Sequence, residues 1–256
     1  MKSTLVIDQG NTTLKATLFQ GEKVVREIRF PELENINSEL LNFLKEDSPA
    51  MAIYSHSGEH SELIINAIEG AVGCRPLILR HDTPLPIEIL YQTSALGLDR
   101  MAAAVGANEI FTEYPECEFF IVADAGTALT IDLVSAKGKF LGGNISAGLR
   151  MRMEALHEHT AALPEVRPEG EVPSFGFNTA TAIRSGAIRG MGAEISGAYA
   201  RTLRDFKQGA VILTGGDAGH IKNYIDPKIK VVSRPMLVAE GLNRILYYNE
   251  NIFKTN

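Results

Sequence analysis

The sequence is poor in cysteine, with Cys74 and Cys117 as its two cysteines among 256 residues, and it contains no tryptophan. Two cysteines without CxxC spacing exclude a framework of several disulfides and a zinc site built from several thiolates. No apolar run approaches the length of a membrane span, and the first eight residues predict a strand, not a signal peptide. Together these absences predict a reduced, cytoplasmic protein.

Positive charge is also scarce. Twenty-five lysines and arginines face 31 acidic residues, for a formal net charge of -6. Nucleic-acid binding requires clustered basic side chains, so the balance argues against a nucleic-acid partner. It does not exclude a phosphate ligand, because backbone amides and a metal ion can hold one. Neither a GxxxxGK[ST] loop nor a GxGxxG motif after the first strand is present, so ATP would have to bind in another way.

One strand–turn–strand unit occurs twice. Residues 5–12 run through an apolar strand and Asp-x-Gly into a β-rich stretch at 14–19, and residues 121–127 do the same before 128–134. Glycine suits the tight reversal between antiparallel strands. The repetition predicts two related domains, residues 1–115 and 116–256.

Helical patterns alternate with strands in both halves. The predicted helices cover residues 37–46, 61–71, 98–111, 151–159, 179–203 and 238–248, and further strands cover 51–54 and 210–214. This alternation predicts an α/β architecture with mixed sheets flanked by helices. In the long helix from Thr179, Gly186, Gly190 and Gly197 recur at near-helical intervals, which favours close helix packing at these positions.

Asp8 and Asp124 each end an apolar strand at a turn that would expose the carboxylate. Held together in a cleft between two domains, the two carboxylates could bind Mg²⁺ directly or through water. The backbone N–H groups of the turns at 10–12 and 126–127 could hold phosphate oxygens, with Lys15 adding positive charge. An ordinary turn is the alternative for one Asp-x-Gly alone, and the second copy favours the functional interpretation.

Two further segments combine glycine with acidic residues. Asp99, in Gly-Leu-Asp-Arg ahead of an alanine-rich helix, could cap that helix, or could accept a proton from a substrate hydroxyl while Arg100 grips a substrate anion. Gly215 and Gly216 end a strand, where they permit either the close backbone approach of an adenosine pocket or a plain strand-to-helix turn. Both pairs of interpretations stay open.

These segments, taken in order, resemble the type III pantothenate kinase family, which belongs to the superfamily of actin, sugar kinases and heat-shock chaperones. The matching blocks are residues 8–12, 97–100, 124–130, 160–164, 178–186 and 214–217. They extend over nearly the whole chain. The resemblance implies two domains of actin-like (ribonuclease H-like) fold and the ATP-dependent phosphorylation of pantothenate to 4′-phosphopantothenate, the first step of coenzyme A synthesis.

The resemblance also implies roles for individual residues. ATP would be bound by Asp8, Gln9, Gly10, Asn11, Thr12, Thr13, Leu14, Lys15 and Thr127, together with Gly215 from the glycine pair above. Pantothenate would contact Tyr91, Gly97, Leu98, Asp99, Arg100 and Thr179, with Asp99 as proton acceptor. Asp124 would hold a monovalent cation, K⁺ or NH₄⁺, beside the Mg²⁺ that accompanies ATP. A homodimer is implied, with pantothenate close to the subunit interface.

Two segments depart from the family pattern. Ala147-Gly148 stands where Pro-Gly is usual, and the segment around His56 differs from the Ser-rich, Pro-containing turn of many relatives. The sequence is also compatible with two alternative functions. One is a kinase for another small hydroxylated metabolite, such as a sugar or acetate, and the other is an ATP-binding regulatory or chaperone-like protein of the same fold.

Overall fold

The computed structural model describes residues 2–10, 13–30 and 35–255 of the chain. The strands are β1 Ser3–Gln9, β2 Leu14–Gln20, β3 Lys23–Phe30, β4 Met51–His56, β5 Leu77–Ile78, β6 Glu88–Ile89, β7 Phe119–Ala125, β8 Ala128–Ser135, β9 Lys139–Ala147, β10 Gly209–Thr214 and β11 Val231–Ser233. The α-helices are α1 Ile36–Phe43, α2 Glu62–Val72, α3 Leu98–Ile110, α4 Leu149–Glu158, α5 Thr179–Thr202, α6 Ala218–Ile221 and α7 Leu237–Thr255. Short 3₁₀ turns lie at Thr93–Ala95 and Lys222–Tyr224.

The chain forms two compact units. The first contains the residues up to Glu109 and those from Met236 onward, and the second contains Ile110–Pro235. The C-terminal helix α7 belongs to the first unit because it packs on β1 and β4. The units therefore differ from the predicted domains 1–115 and 116–256 chiefly in the placement of α7, and the predicted boundary stays a prediction.

The sheet of the first unit has the strand order β3-β2-β1-β4-β5. β1 and β2 are antiparallel and pair Asp8 with Lys15, whereas β4 runs parallel to β1. β3 continues the antiparallel side and β5 the parallel side. The core on this sheet is mainly aliphatic, with Phe30 and Tyr54 as its buried aromatic residues, and it also includes Leu5, Ile7, Leu18, Ile36, Leu40, Ile64 and Ile68.

The second unit repeats this arrangement. Its strands are ordered β9-β8-β7-β10-β11, with β7–β8 and β8–β9 antiparallel and β10 parallel to both β7 and β11. Each unit thus places an antiparallel hairpin beside a parallel strand that follows a helical connection. The predicted hairpins at both Asp-x-Gly segments and the α/β class with two mixed sheets are confirmed.

Helix α5 packs closely at a glycine other than those predicted. A Cβ on Gly192 would lie 2.3 Å from the carbonyl oxygen of Tyr224, so only glycine fits there. Among the described residues nothing lies within 4 Å of a Cβ on Gly186, and Gly190 and Gly197 face only the ends of arginine side chains. The prediction of close packing at these three glycines is wrong. Their spacing shows that they lie near one face of the helix, but it does not show whether that face packs against another element.

In the part of the chain that the structure describes, no helix combines the length and the apolar character needed to cross a membrane.

Replacing Gly241 with alanine should lower the free energy of unfolding by about 1–3 kcal/mol, because overpacking forces the surrounding backbone apart. Gly241 lies where α7 crosses α3, and its Cβ would come within 1.8 Å of the Ala102 carbonyl oxygen. Urea denaturation followed by circular dichroism measures the change.

Gly70→Ala is the matched control, since Gly70 lies in α2 with nothing among the described residues within 4 Å of its Cβ position. This variant should gain up to about 1 kcal/mol from helix propensity. Equal effects at the two positions would contradict the close approach of α3 and α7.

Candidate active site

The turn between β1 and β2 carries the first group of predicted ATP-binding residues. The ladder places Asp8 opposite Lys15 on one side and opposite Ser55 of β4 on the other. The Gly10 N–H donates to the Thr13 carbonyl at 2.9 Å, which closes the turn. Asp8, Gln9, Gly10, Thr13, Leu14 and Lys15 therefore lie together at one end of the sheet, whereas Asn11 and Thr12 lie outside the described residues.

Tyr54 braces this turn from the neighbouring strand. Its hydroxyl donates to Gln9 Oε1 and accepts from the Ser61 N–H at 3.1 Å. The Gln9 carbonyl in turn accepts from the Ser57 N–H at 2.8 Å. Tyr54 is fully buried, and burial raises the pKa of its phenol. The sequence predicted only a strand at Tyr54, because a single tyrosine in an apolar run does not reveal which group its hydroxyl will bind.

Five of the six predicted substrate residues lie at or beside the start of α3. The Asp99 carboxylate accepts the Arg100 N–H at 2.8 Å, and a Cβ on Gly97 would lie 2.5 Å from Asp99 Oδ1. Arg100 is buried, with its guanidinium carbon 5.5 Å from the centre of the Tyr91 ring. Asp99 and Tyr91 are exposed, whereas Leu98 is buried. Asp99 thus contacts the helix N-terminus, as the capping interpretation predicts, and still presents its side chain to solvent.

The turn between β7 and β8 is the counterpart in the second unit. Asp124 lies opposite Thr130 in β8 and Thr214 in β10. The Gly126 N–H donates to the Ala128 carbonyl at 3.0 Å. Asp8 and Asp124 occupy corresponding positions, each one residue before its hairpin strand ends, so the structure confirms that the two Asp-x-Gly turns are equivalent. Their sharing of one Mg²⁺ stays a prediction.

Two glycines allow other segments to approach this second turn. Gly215 has φ +93°, and its Cβ would lie 2.4 Å from both Asp124 Oδ1 and the Ala125 carbonyl oxygen. A Cβ on Gly148 would lie 2.3 Å from the carbonyl oxygens of Gly126 and Thr127. Any side chain at either position would displace the turn. The sequence predicted for Gly215 either a close approach to adenosine or a plain strand-to-helix turn, and it predicted neither this contact with the second turn nor the one at Gly148.

Asp217 completes the β10 side of the turn. Its N–H donates to the Ala125 carbonyl at 2.9 Å. Burial is the main cause that raises the pKa of its carboxyl group, and the positive charges of Arg150 and His220 partly oppose the shift. The raised pKa makes Asp217 more readily protonated than an exposed aspartate.

An ion-pair network lies beneath the second turn. Arg152 of α4 binds both carboxylate oxygens of Glu194 in α5, at 2.6 and 2.8 Å, and its Nε donates to the Ala147 carbonyl at 2.7 Å. The Ser146 hydroxyl donates to Glu194 at 2.9 Å. The hydrogen bond from Arg152 is the main reason why the pKa of Glu194 is lowered, and the hydrogen bond from Ser146 lowers it further.

Thr179 lies at the first position of α5, where it is exposed. The preceding Asn178 caps the helix by accepting the Thr181 N–H at 2.9 Å. A cavity of about 520 Å³ lies in the second unit, lined by Ala147, Arg152, Ala155, Leu156, His159, Thr160, Ala182, Ile183, Gly186 and Ala187. Gly186 faces this space, which explains why no atom meets its Cβ position.

Within the described residues, no group of three or more histidine, cysteine, aspartate and glutamate side chains is arranged to hold a metal ion. Beside Gly215, the Asp124 carboxylate and the Ala125 carbonyl oxygen lie close together, each 2.4 Å from the position that a Cβ would occupy. Carboxylate and carbonyl oxygens are ligands for hard cations. These two groups could contribute to a cation site, and the identity of the cation stays a prediction.

Replacing Gly215 with alanine should lower the free energy of unfolding by about 1–3 kcal/mol, because the new Cβ meets two oxygens at a positive φ that alanine disfavours. Gly216→Ala is the matched control on the adjacent residue, since nothing among the described residues lies within 4 Å of its Cβ position. Thermal and urea unfolding of both variants measures the difference. A Gly216→Ala variant as unstable as Gly215→Ala would refute the close approach to Asp124.

Comparison with known proteins identifies the family. A sequence model of type III pantothenate kinase matches residues 4–201. A type III pantothenate kinase from Porphyromonas gingivalis is 38% identical over 259 residues, which cover 97% of this chain and 100% of the relative. Another, from Phocaeicola vulgatus, is 37% identical over 260 residues, covering 97% and 99%.

The fold has more distant relatives. The crystal structure of an inorganic polyphosphate/ATP-glucomannokinase from Arthrobacter is similar with a TM-score of 0.52 and 12% identity, covering 97% of this chain and 100% of that one. This likeness shows a sugar-kinase type of fold. The family model and the full-length relatives show more: the chain belongs to the type III pantothenate kinase family.

Proposed function

We propose that this chain is an enzyme that phosphorylates pantothenate with ATP to give 4′-phosphopantothenate, the first step of coenzyme A synthesis. The observation that carries the proposal is full-length similarity to proteins named type III pantothenate kinase. The side chains gathered at the start of α3 support it, since Asp99 and Arg100 supply a carboxylate and a cation beside each other.

The two hairpin turns bind ATP in this proposal. Residues 8–15, including Asn11 and Thr12, form the first phosphate loop, and Thr127 binds phosphate from the second. Lys15 lies opposite Asp8 in the ladder and supplies positive charge near the first loop. Gly215 allows the strand end of β10 to approach the nucleotide, as it already approaches Asp124. Backbone N–H groups in such turns favour phosphate oxygens.

Two cations are part of the proposal. Mg²⁺ arrives with ATP and, when bound, neutralises charge on the phosphate oxygens. Asp124 holds K⁺ or NH₄⁺, and the carbonyl oxygen of Ala125 lies near enough to the Asp124 carboxylate to contribute a second ligand. The protein side chains then need to supply little net positive charge, which agrees with the acidic composition.

Pantothenate contacts Tyr91, Gly97, Leu98, Asp99, Arg100 and Thr179. Arg100 pairs with the substrate carboxylate, and its stacking against Tyr91 fixes the guanidinium. Leu98 is buried, so its backbone makes the contact. Asp99 is the catalytic residue: it accepts the proton of the substrate hydroxyl as that oxygen bonds to the γ-phosphorus and the bond to ADP breaks. Such a reaction depends mainly on positioning and on stabilisation of charge.

The protein forms a homodimer in the cytoplasm in this proposal. Large apolar side chains that are exposed in the second unit are candidates for the interface, since contiguous exposed apolar surface commonly marks protein contacts. They are Ile145, Met151, Leu156, Phe175 and Phe177, of which Phe175 is 90% exposed.

Light scattering on the protein as it elutes from a size-exclusion column should give twice the chain mass of 27.9 kDa. The Phe177→Ser variant should shift the protein toward monomer. Val25→Ser is the control, because Val25 is an exposed apolar residue of the first unit. A wild-type monomer at micromolar concentration would contradict the proposed homodimer. An equal shift in both variants would contradict an interface at these residues of the second unit.

The activity is tested by ADP release with Mg-ATP and pantothenate, in potassium and in sodium. Turnover should require pantothenate and rise with potassium. Glucose and acetate are the comparison substrates, and turnover with either of them but not with pantothenate would replace the proposed substrate. ATP binding without turnover on any substrate would favour the regulatory alternative.

Asp99→Asn should lower kcat by about 10²–10⁴-fold and leave ATP affinity near that of the wild type, because the amide cannot accept the hydroxyl proton. Asp82→Asn is the matched control, an exposed aspartate of the same unit. Steady-state kinetics separates the two effects. An Asp99→Asn enzyme with normal kcat would remove Asp99 from the role of base.

A further inference from the structure

The corner between β9 and α4 supports the second phosphate turn. Ala147, the last residue of β9, pairs with Ala128, the first residue of β8 after the turn. The next residue, Gly148, donates its N–H to the Thr127 carbonyl at 3.2 Å and lies so close that its Cβ would collide with that oxygen. A shift of this corner therefore moves Thr127.

Arg152 fixes the corner through three kinds of contact. It lies in the first turn of α4, and its Nε reaches back to the Ala147 carbonyl at 2.7 Å. Its Nη2 donates to the Ser146 hydroxyl at 3.0 Å, and the two terminal nitrogens bind Glu194 as a fork at 2.6 and 2.8 Å. Ser146 also donates to Glu194, so β9, α4 and α5 are joined at one point.

Only a guanidinium can make all of these bonds at once. Its planar fork matches a carboxylate with two nitrogens while Nε serves the carbonyl, whereas a lysine ammonium is a single point of charge. Glu194 is the anchor, because α5 is a long helix whose buried face packs in the core of the second unit. Its carboxylate is ionised near neutral pH, and the lowered pKa extends that ionisation to more acidic solution.

The pair is poorly suited to a role in global stability. The side chains of Arg152 and Glu194 are 19% and 40% exposed, and partly exposed ion pairs contribute little to the free energy of unfolding. Its place beneath the turn suits a positional role, because small displacements of binding groups strongly reduce the rate and affinity of phosphate chemistry.

We infer that Arg152 and Glu194 are positioning residues for the second phosphate turn, which set the affinity for ATP without touching it. The inference rests on the proposed role of Thr127 in ATP binding and extends it to the residues that hold Thr127 in place. Arg152 fixes the corner, Gly148 transmits its position to Thr127, and α5 supplies the fixed point through Glu194.

The test uses Glu194→Gln and Arg152→Lys in the full-length chain. Both should weaken ADP binding, measured by calorimetry, and raise KM for ATP by about tenfold. KM for pantothenate and the melting temperature should change little.

Glu116→Gln is the matched control, because Glu116 accepts a hydrogen bond from Lys230 at 2.9 Å in the same unit and touches none of the corner residues in the bonds that the structure gives it. It should leave ADP affinity unchanged. A Glu194→Gln protein with wild-type ADP affinity would overturn the inference. So would an equal rise in both KM values together with a lowered melting temperature, which would indicate a structural role.

The calorimetric measurement separates this inference from the proposed function. A wild-type chain that binds ADP without phosphorylating pantothenate would defeat the proposed substrate, and the inference would still be judged from the ADP affinities of the variants. A wild-type chain that binds neither ADP nor ATP would defeat both.

Discussion

The constraint on which the second unit's site depends is the close approach of backbone to backbone at the β7–β8 turn. Gly148 and Gly215 each lie where a Cβ would come within about 2.4 Å of the oxygens at that turn. The end of β9 and the end of β10 can therefore both meet the same hairpin. Buried carbonyl and N–H groups at this point find partners in each other, as in the bond from Asp217 to Ala125.

The same architecture is stabilised by different groups in the two units. Both units place an aspartate at the end of the first hairpin strand, beside a parallel strand that follows a helical connection. In the first unit Tyr54 braces the turn through a side-chain hydrogen bond, and in the second the bracing is backbone packing reinforced by Arg152. The hairpins are thus equivalent in topology, while the groups that stabilise them have diverged.

The start of α3 combines two interpretations that the sequence left open. Asp99 accepts a backbone N–H at the helix N-terminus and is also exposed, so capping and chemistry do not exclude each other. Arg100 is buried against Tyr91, which restricts its motion and gives a cation a defined position. A helix N-terminus holding a carboxylate beside a fixed guanidinium is suited to recognising an anionic substrate that bears a hydroxyl group.

The sequence by itself determined the duplicated hairpins, the α/β class and the glycine pair at 215–216, because strand periodicity and Asp-x-Gly turns are local properties of the chain. Only the tertiary structure decided that Gly148 and Gly192, and not Gly186, sit at close contacts, and that α7 packs with the first unit. It also decided the partners of Tyr54 and Arg152. These contacts join residues that are far apart in the chain, and a single sequence does not show which distant side chains come together.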